Sequence, residues 1–180
     1  MTTAFKIQTK PVDHTNQDDL EALFESKGGP KYCWCMPYRA MPLKGRSSNA
    51  AKKSALLERV EQDIPIGLLA YVAGTPVAWC SIAPRETYTG LGGDTALKKV
   101  WSLACFFIKR EYRRQGMMTA LITAACKYAK KHGAKYVEAY PVDTDSPSYR
   151  FMGFKPVFEQ MNFELKGMEG SRRHVMLRKL

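Results

Sequence analysis

The sequence predicts a single mixed α/β domain that extends over residues 1–180. Helix-like and strand-like segments follow one another in the order β-α-α-β-β-β-α-β-α-β-β. No linker rich in glycine, proline or serine divides the chain, and no internal repeat occurs. With 180 residues, of which 45% are hydrophobic, the chain can bury a sizeable core and fits one domain better than two.

The first half of the chain predicts a strand, two helices and a hairpin. These elements are a strand over 5–10, a helix over 15–29, a loop over 30–45, a helix over 47–62 and a hairpin over 67–82. Thr15 or Asn16 is a suitable N-cap for the first helix, and Gly28 is its stop. The loop is aromatic and interrupted by prolines, whereas SSNAAKKSALLERVEQ has a serine cap and good helix formers. GLLAYVAGTPVAWCSI predicts two apolar strands that turn at Gly-Thr-Pro.

The second half predicts a buried strand, a long helix and a series of shorter elements. These are an irregular segment over 84–99, a strand over 100–108, a helix over 116–132, a strand over 134–142, a loop over 143–153, a short helix over 155–161 and strands over 163–167 and 172–180. VWSLACFFI is rich in β-branched and aromatic residues, as buried strands are. The long helix has apolar residues at helical spacing and Gly133 as its stop, and Pro141 ends the strand that follows.

The charge of the chain indicates an anionic partner. A formal net charge of +11 suits nucleic acid, an anionic membrane face or a phosphorylated small molecule, and charge alone does not choose among them. No helix-turn-helix, zinc finger or RNA-binding aromatic signature supports specific binding of nucleic acid. No apolar run reaches the length of a membrane span, so we expect no membrane insertion.

The cysteines predict reduced thiols. The N-terminal MTTAFKIQTK lacks an apolar signal-peptide core, and the five cysteines are an odd number, so a cytoplasmic location is the default expectation. The spacing of Cys33 and Cys35 is shorter than in structural zinc sites, and no matching His or Cys pair follows. We therefore expect no metal.

The turn before the long helix has the features of an anion site. In KREYRRQGMMTA, Gly116 leads into the helix, whose first N–H groups lack intrahelical partners and suit a phosphate. Thr119 adds a hydroxyl, and Lys109, Arg110, Arg113 and Arg114 add positive charge. Neither a Walker motif nor a G-x-G-x-x-G motif occurs, and a bare structural turn with solvated arginines is the alternative.

This turn carries a family resemblance. Arg113-Arg114-Gln115-Gly116-Met117-Met118 resembles the acyl-CoA signature Q/R-x-x-G-x-G/A of the GNAT N-acetyltransferase superfamily, with Met118 where a small residue is expected. The order of elements is similar to that superfamily over nearly the full chain. FEQMNF (158–163) resembles its late Y-x-x-x-G-F element, and YCWCMPYR and WCSIAPRETY resemble a bacterial-type branch.

The resemblance implies a fold, a cofactor and a reaction. The fold would be a GNAT-like mixed, mostly antiparallel sheet with a splayed central strand pair, flanked by helices. Acetyl-CoA would donate an acetyl group to a primary amine of a small molecule or peptide, and a homodimer is an expectation from the family alone. The residues implied to bind acetyl-CoA are Phe106, Phe107, Ile108, Arg113, Arg114, Gln115, Gly116, Met117, Met118 and Thr119.

The catalytic groups are less clear from the sequence. The resemblance places a tyrosine acid where this chain has Phe158, so Tyr149 and Tyr140 are the candidate replacements, each with ordinary packing as its alternative. Glu138 is the candidate base because it is the one carboxylate in an otherwise apolar strand. Glu138 and Tyr140 lie on one strand face, as a base and acid or as a hydrogen-bonded core pair. A water-mediated route needs neither.

The irregular segments should recognise the acceptor, because loops on a rigid scaffold carry specificity. The candidate substrate-binding residues are Trp34, Tyr38, Arg39, Arg85 and Tyr88. An aromatic and arginine lining would suit a carboxylate or a flat ring, and the alternative is that these aromatics only hold the loops. Two other functions stay open at this point: a catalytically silent acyl-CoA-binding or sensor protein, and a basic nucleic-acid-binding module.

Overall fold

Seven strands form one sheet with helices on both faces in the computed structural model, which describes residues 6–180. The helices are α1 Gln17–Glu25, α2 Asn49–Glu61, α3 Met117–Lys131 and α4 Lys155–Gln160. The strands are β1 Ile7–Pro11, β2 Gly67–Val72, β3 Thr75–Pro84, β4 Val100–Ile108, β5 Tyr136–Ala139, β6 Glu164–Glu169 and β7 Arg173–Lys179. The predicted order of elements is confirmed, although the predicted first strand begins at Phe5, outside the described residues.

The sheet is antiparallel except at its centre. Its strand order is β1-β2-β3-β4-β5-β7-β6, and β4 with β5 is the parallel pair. A parallel pair needs a crossover, which α3 provides between the two strands. This topology confirms the mostly antiparallel sheet and flanking helices that the family resemblance implied.

Each face of the sheet carries its own core. On one face, α3 and α4 cover alternate strand residues such as Leu68 and Ala70. On the other face, α1 and α2 cover Leu69 and Trp79. Because β2 is covered on both faces, all six of its residues are buried, and GLLAYV reads as one continuous apolar run.

The helix boundaries follow from local chemistry. The Ser48 side chain caps α2 by accepting a hydrogen bond from Ala51 N at 3.2 Å. Asn16 stands at the N-cap of α1, but its side chain accepts from Asp13 N and donates to Pro11 O, so it fixes the preceding turn instead. Among residues 6–180, no helix has the length and apolarity that a membrane span requires.

The β2–β3 hairpin turns earlier than the sequence predicted. Its two loop residues are Ala73 and Gly74, with φ of +49° and +79°. Two successive positive φ angles are typical of the two-residue turns that match the twist of paired strands. Thr75 and Pro76, predicted as turn residues, are the first residues of β3.

The packing of α3 predicts a large cost for truncation at its centre. Leu121 is fully buried between α3 and the sheet. Leu121→Ala should lower the free energy of unfolding by about 3 kcal/mol, as large-to-small core changes do. For a chain of this length, that loss corresponds to a melting temperature lower by about 6–12 °C.

The control for this change is Lys127→Ala, on the exposed side of the same helix. We expect it to change the free energy of unfolding by less than about 0.5 kcal/mol. Thermal or urea unfolding followed by circular dichroism measures both variants. Equal stability of the two would contradict the assignment of Leu121 to the core.

Candidate active site

The central strand pair opens partway along its length. β4 and β5 pair from Val100 with Tyr136 to Leu103 with Ala139. β5 then ends, because Pro141 offers no N–H for a further ladder bond, while β4 continues to Ile108. Within residues 6–180, no strand pairs with Ala104–Ile108 on that side. An extended ligand therefore finds a free strand edge there.

The turn after β4 is shaped to hold an anion. Arg114 and Gly116 have φ of +60° and +77°, which makes alternate residues of the turn left-handed. Such turns direct successive backbone N–H groups into one concavity. Apart from Gly116 and its chain neighbours, no residue comes within 4 Å of the position of an added β-carbon at Gly116, so this side of the turn is open space. An anion can reach these N–H groups directly.

The start of α3 adds further free donors to the same turn. Gly116 is the N-cap and has no side chain to cap the helix, and the first backbone bond runs from Ala120 N to Gly116 O at 3.0 Å. The N–H groups of Met117, Met118 and Thr119 are therefore left at the positive end of the helix dipole. This position suits a phosphate group.

Two side chains brace this turn. Arg113 Nε donates to Ile108 O at 2.9 Å, and Gln115 Nε2 donates to Glu111 O at 2.7 Å. The arginine thus ties the turn to the end of β4 while its charge stays exposed. All ten residues predicted to bind acetyl-CoA fall along the free end of β4, the turn and the first turn of α3. The structure brings them together, and their role in binding remains a prediction.

Two residues that depart from the family motifs share one neighbour. Met118 is partly buried, and Phe158 is fully buried against Phe106 and Phe163, with ring centroids 6.2 and 5.1 Å apart. A β-carbon added at Gly153 would lie 2.8 Å from Phe158 Cε2 and 3.5 Å from Met118 Sδ. The absence of a side chain at Gly153 therefore makes room for both larger groups.

A cavity of about 230 Å³ adjoins the free part of β4. Its lining residues are Pro30, Cys33, Cys35, Pro37, Tyr38, Ser81, Tyr88, Ala104, Cys105, Phe106, Phe107 and Phe151. None of these lining residues carries a charge at neutral pH. Five aromatic rings and three thiols therefore surround a space suited to a small, largely apolar group.

The thiols in this wall are close together. Cys35 Sγ donates to Cys105 Sγ at 3.4 Å and accepts from Trp79 Nε1 at 3.1 Å. All five cysteines are free thiols. Among the described residues, no group of three or more His, Cys, Asp or Glu side chains is placed to hold a metal ion.

The five residues predicted to bind substrate occupy different places. Tyr38 and Tyr88 line the cavity. Trp34 is buried in the core under α1 and α2, 5.1 Å from the Phe24 ring. Arg39 and Arg85 are engaged by other protein groups, so neither guanidinium is free to meet a carboxylate in the cavity.

Arg39 lies behind the cavity wall and is 2% exposed. Its guanidinium donates to Cys35 O at 2.5 Å, Ile66 O at 2.8 Å, Ser81 Oγ at 2.8 Å and Tyr88 Oη at 3.2 Å. Ser81 Oγ and Tyr88 Oη are also 2.8 Å apart. Sequence reasoning missed Ser81, although a serine inside the apolar strand VAWCSI was a usable signal.

Glu138 is buried and fully engaged. Its carboxylate accepts hydrogen bonds from Arg85 Nε at 2.9 Å, from Arg85 Nη2 and from Ser102 Oγ at 2.5 Å. Burial lowers the pKa of Arg85, but the hydrogen bond and charge of Glu138 outweigh it and raise that pKa overall. The carboxylate is 1% exposed and does not line the cavity. This geometry favours a structural ion pair over a free base.

The two tyrosines predicted as acids differ in exposure. Tyr140 is fully buried and donates to Gly92 O at 3.0 Å, and burial raises the pKa of its hydroxyl. Tyr149 is 39% exposed and has a φ of +58°, a strained angle for a residue other than glycine. The Arg173 guanidinium lies 5.5 Å from the Tyr149 ring and 5.4 Å from the Tyr38 ring. Tyr149 thus stands beside a cavity-lining tyrosine, whereas the Tyr140 hydroxyl is occupied.

Comparison with solved structures identifies the fold. The PaiA N-acetyltransferase of Thermoplasma acidophilum, in complex with coenzyme A, matches with a TM-score of 0.59 and 18% identity over 97% of this chain and 99% of that chain. The protein yncA of Salmonella typhimurium, with its cofactor acetyl-CoA, matches with a TM-score of 0.59 and 11% identity over 97% and 94%. A ribosomal-protein-alanine N-acetyltransferase of Brucella melitensis matches with a TM-score of 0.59 and 14% identity over 96% and 99%. At these identities, the matches show the fold alone.

Comparison with sequences identifies the family. No curated protein matches the chain in sequence. The model of the acetyltransferase (GNAT) family matches residues 31–154, which include nearly all of the loop over 30–45, the free part of β4 and the turn before α3. The resemblance seen in the sequence is therefore confirmed. The chain belongs to the GNAT acetyltransferase family.

Proposed function

We propose that this protein is an acetyl-CoA-dependent N-acetyltransferase that acts on a primary amine of a small molecule or peptide by direct acyl transfer. The observation that carries the proposal is the continuity of two features: the free edge of β4 and the open, left-handed turn at Gly116. The edge of β4 can pair with the backbone of an extended ligand, and the turn at Gly116 can donate N–H groups to an anion. Coenzyme A combines a pantetheine arm with a pyrophosphate, which fits this order.

Each part of the site has a distinct task in this proposal. The N–H groups of Arg114 to Thr119 hold the pyrophosphate, and the cationic side chains around the turn favour the remaining phosphate charge. Phe106, Phe107 and Ile108 pair with the pantetheine arm through their backbones. When bound, acetyl-CoA supplies an activated acetyl group. A backbone N–H of β4 polarises its carbonyl oxygen.

The acceptor enters the cavity beside β4 in this proposal. Tyr38 and Tyr88 contact it, and the aromatic wall excludes water from the reacting atoms. The amine must lose a proton before it attacks. We assign that proton to water, because the Glu138 carboxylate holds three hydrogen bonds and lies outside the cavity wall. The free thiols in the wall suit a reducing compartment such as the cytoplasm.

A silent acyl-CoA-binding protein is the second candidate. The observation that favours it is Phe158, which stands at the expected acid position, is fully buried and carries no hydroxyl. Both candidates require the Gly116 turn to bind coenzyme A. They differ in turnover: release of free thiol from acetyl-CoA in the presence of an amine panel supports the enzyme, and tight binding without release supports the silent protein.

The Gly116 turn predicts a specific loss of acetyl-CoA binding. Gly116→Asp places a carboxylate where phosphate would sit, so we expect calorimetric affinity for acetyl-CoA to fall by at least about 100-fold through charge repulsion and lost backbone access. ATP should bind weakly to the parent protein, because it lacks the pantetheine arm.

The matched control is Gly133→Asp, at the other end of α3. Gly133 also has a left-handed φ of +81° and open space at its β-carbon position. Both variants therefore carry the same backbone strain and the same added charge. Parental affinity in a folded Gly116→Asp variant would remove the turn as the phosphate site, as would an equal loss in both variants.

The ion pair predicts that Glu138→Gln affects stability more than turnover. The change leaves the partly buried Arg85 without its charge partner, and removal of one partner of a buried pair costs about 3 kcal/mol. We expect a clearly lower melting temperature and a kcat within about threefold of the parent in the folded protein, since the barrier is unchanged. The double variant Arg85→Gln/Glu138→Gln should recover part of the stability. A kcat loss of about 100-fold without loss of stability would instead establish Glu138 as the base.

A further inference from the structure

Arg39 is a buried cation without a counter-ion. Its charge is held by two backbone carbonyls and two hydroxyls, and no carboxylate of residues 6–180 forms an ion pair with it. Its Nε is buried and has no hydrogen-bond partner. Arg85, by contrast, is partly buried and is neutralised by Glu138. Burial of an uncompensated cation is costly, so Arg39 makes its surroundings favourable for negative charge.

The charge of Arg39 reaches the cavity through two hydroxyls. Ser81 Oγ and Tyr88 Oη both accept from the guanidinium, and both residues line the cavity. Ser81 is paired in register with Cys105, within the part of β4 that extends beyond β5. The hydroxyl pair therefore faces the segment of β4 against which we propose that acyl transfer occurs.

Counting hydrogens leaves one donor for the cavity. Ser81 and Tyr88 carry one hydroxyl hydrogen each. Of the two hydrogens on Arg39 Nη2, one goes to Ile66 O, and the other is shared by the two hydroxyl oxygens. The bond of 2.8 Å between Ser81 and Tyr88 uses one of the two hydroxyl hydrogens, whichever residue donates it. The second hydrogen has no acceptor among the described residues. The cavity is the open space that both residues line.

We propose that this remaining hydroxyl hydrogen, polarised by Arg39, donates to the negative charge that develops on the acyl oxygen during transfer. The inference rests on the proposed function. It gives this chain a pre-aimed donor although Phe158 carries no hydroxyl. Ser81 and Tyr88 are alternative carriers of the same hydrogen, and Arg39 is the positioning residue behind them.

The step balances without a proton leaving the hydroxyl pair. The nitrogen lone pair of the acceptor forms the new bond to the carbonyl carbon, and the carbonyl π electrons move to oxygen, where the hydroxyl donates a hydrogen bond. An oxygen lone pair then re-forms the carbonyl double bond, and the carbon–sulfur bond breaks with its electrons on sulfur. The nitrogen loses a proton to water, and the sulfur gains one from water. Burial raises the pKa of Tyr88 although Arg39 opposes it, which suits a donor that keeps its proton.

The test compares Ser81→Ala, Tyr88→Phe and the double variant. Each single variant leaves one hydroxyl, whose hydrogen is then free for the cavity, so we expect kcat to fall by less than about fivefold. The double variant has no donor, and its kcat should fall by about 100-fold, as for loss of one oxyanion donor. The KM for acetyl-CoA should stay within about threefold of the parent in all three, since the donor acts on charge absent from the ground state. We therefore expect the fold loss of kcat in the double variant to be far larger than the product of the fold losses in the two single variants.

Tyr71→Phe is the matched control. Tyr71 is a buried tyrosine outside the cavity wall, and its hydroxyl donates to Asp19 at 2.8 Å. This variant should lose stability comparable to that of Tyr88→Phe while keeping the parental kcat. Arg39→Lys should lower kcat in the parent but cause no further loss in the double variant, a pattern that a purely structural role does not produce.

The measurement is release of free thiol from acetyl-CoA, with an amine acceptor and, in parallel, with water as the only acceptor. Both reactions place negative charge on the acyl oxygen, so the test does not depend on knowing the acceptor. A parent protein that releases no thiol above the uncatalysed rate in either arm overturns the proposed function and this inference with it. A parent that turns over while the double variant keeps its kcat overturns the inference alone. An increase in the KM for the amine without a change in kcat also overturns the inference, because it would make the hydroxyl pair an acceptor-binding group.

Discussion

The break in pairing between β4 and β5 is the constraint on which the rest of the site depends. β4 runs through the centre of the sheet, where a strand normally has partners on both sides. Beyond Leu103 it keeps β3 but loses β5, because Pro141 has no N–H with which to continue the ladder. Backbone polar groups must be paired by protein, water or ligand. A strand edge left open in mid-sheet therefore demands a partner, and an extended ligand can supply it.

Arg85 and Arg39 show that the same residue type can have two different roles near the site. Arg85 forms an ion pair with Glu138, so the pair is neutral, and Ser102 donates a further hydrogen bond to the carboxylate. Gly93 packs against the pair, because a β-carbon added there would lie 2.5 Å from Glu138 Oε2. The Arg39 guanidinium is hydrogen-bonded only to carbonyl and hydroxyl groups, so its positive charge is not neutralised. The neutral pair holds β5 in place. The unpaired cation adds positive potential to a cavity whose lining has no charge of its own.

The sequence predicted the elements well because their signals are local. Ser48 caps α2, Gly116 opens α3, and GLLAYV is long enough and apolar enough to be a buried strand. The sheet topology came from the family resemblance, since no local pattern says that β4 and β5 are parallel. The site was less predictable because its bonds are long-range. Arg85 and Glu138 are 53 residues apart, and Arg39 and Ser81 are 42 residues apart. The reasoning that a buried carboxylate needs a cause was sound for Glu138, but the cause visible in the structure is Arg85.

The departures from the family motifs are coupled through packing, and this coupling explains why they occur together. Gly153 has a φ of +88° and no side chain, so Phe158 and Met118 both fill space beside it. Phe158 in turn packs against Phe106 and completes an apolar layer under the free end of β4. A tyrosine in that layer would bury a hydroxyl that needs a partner. That face of β4 is therefore apolar, whereas on the opposite face Arg39 holds the Ser81 and Tyr88 hydroxyls in place, where they can add a side-chain donor to the backbone N–H groups of the strand.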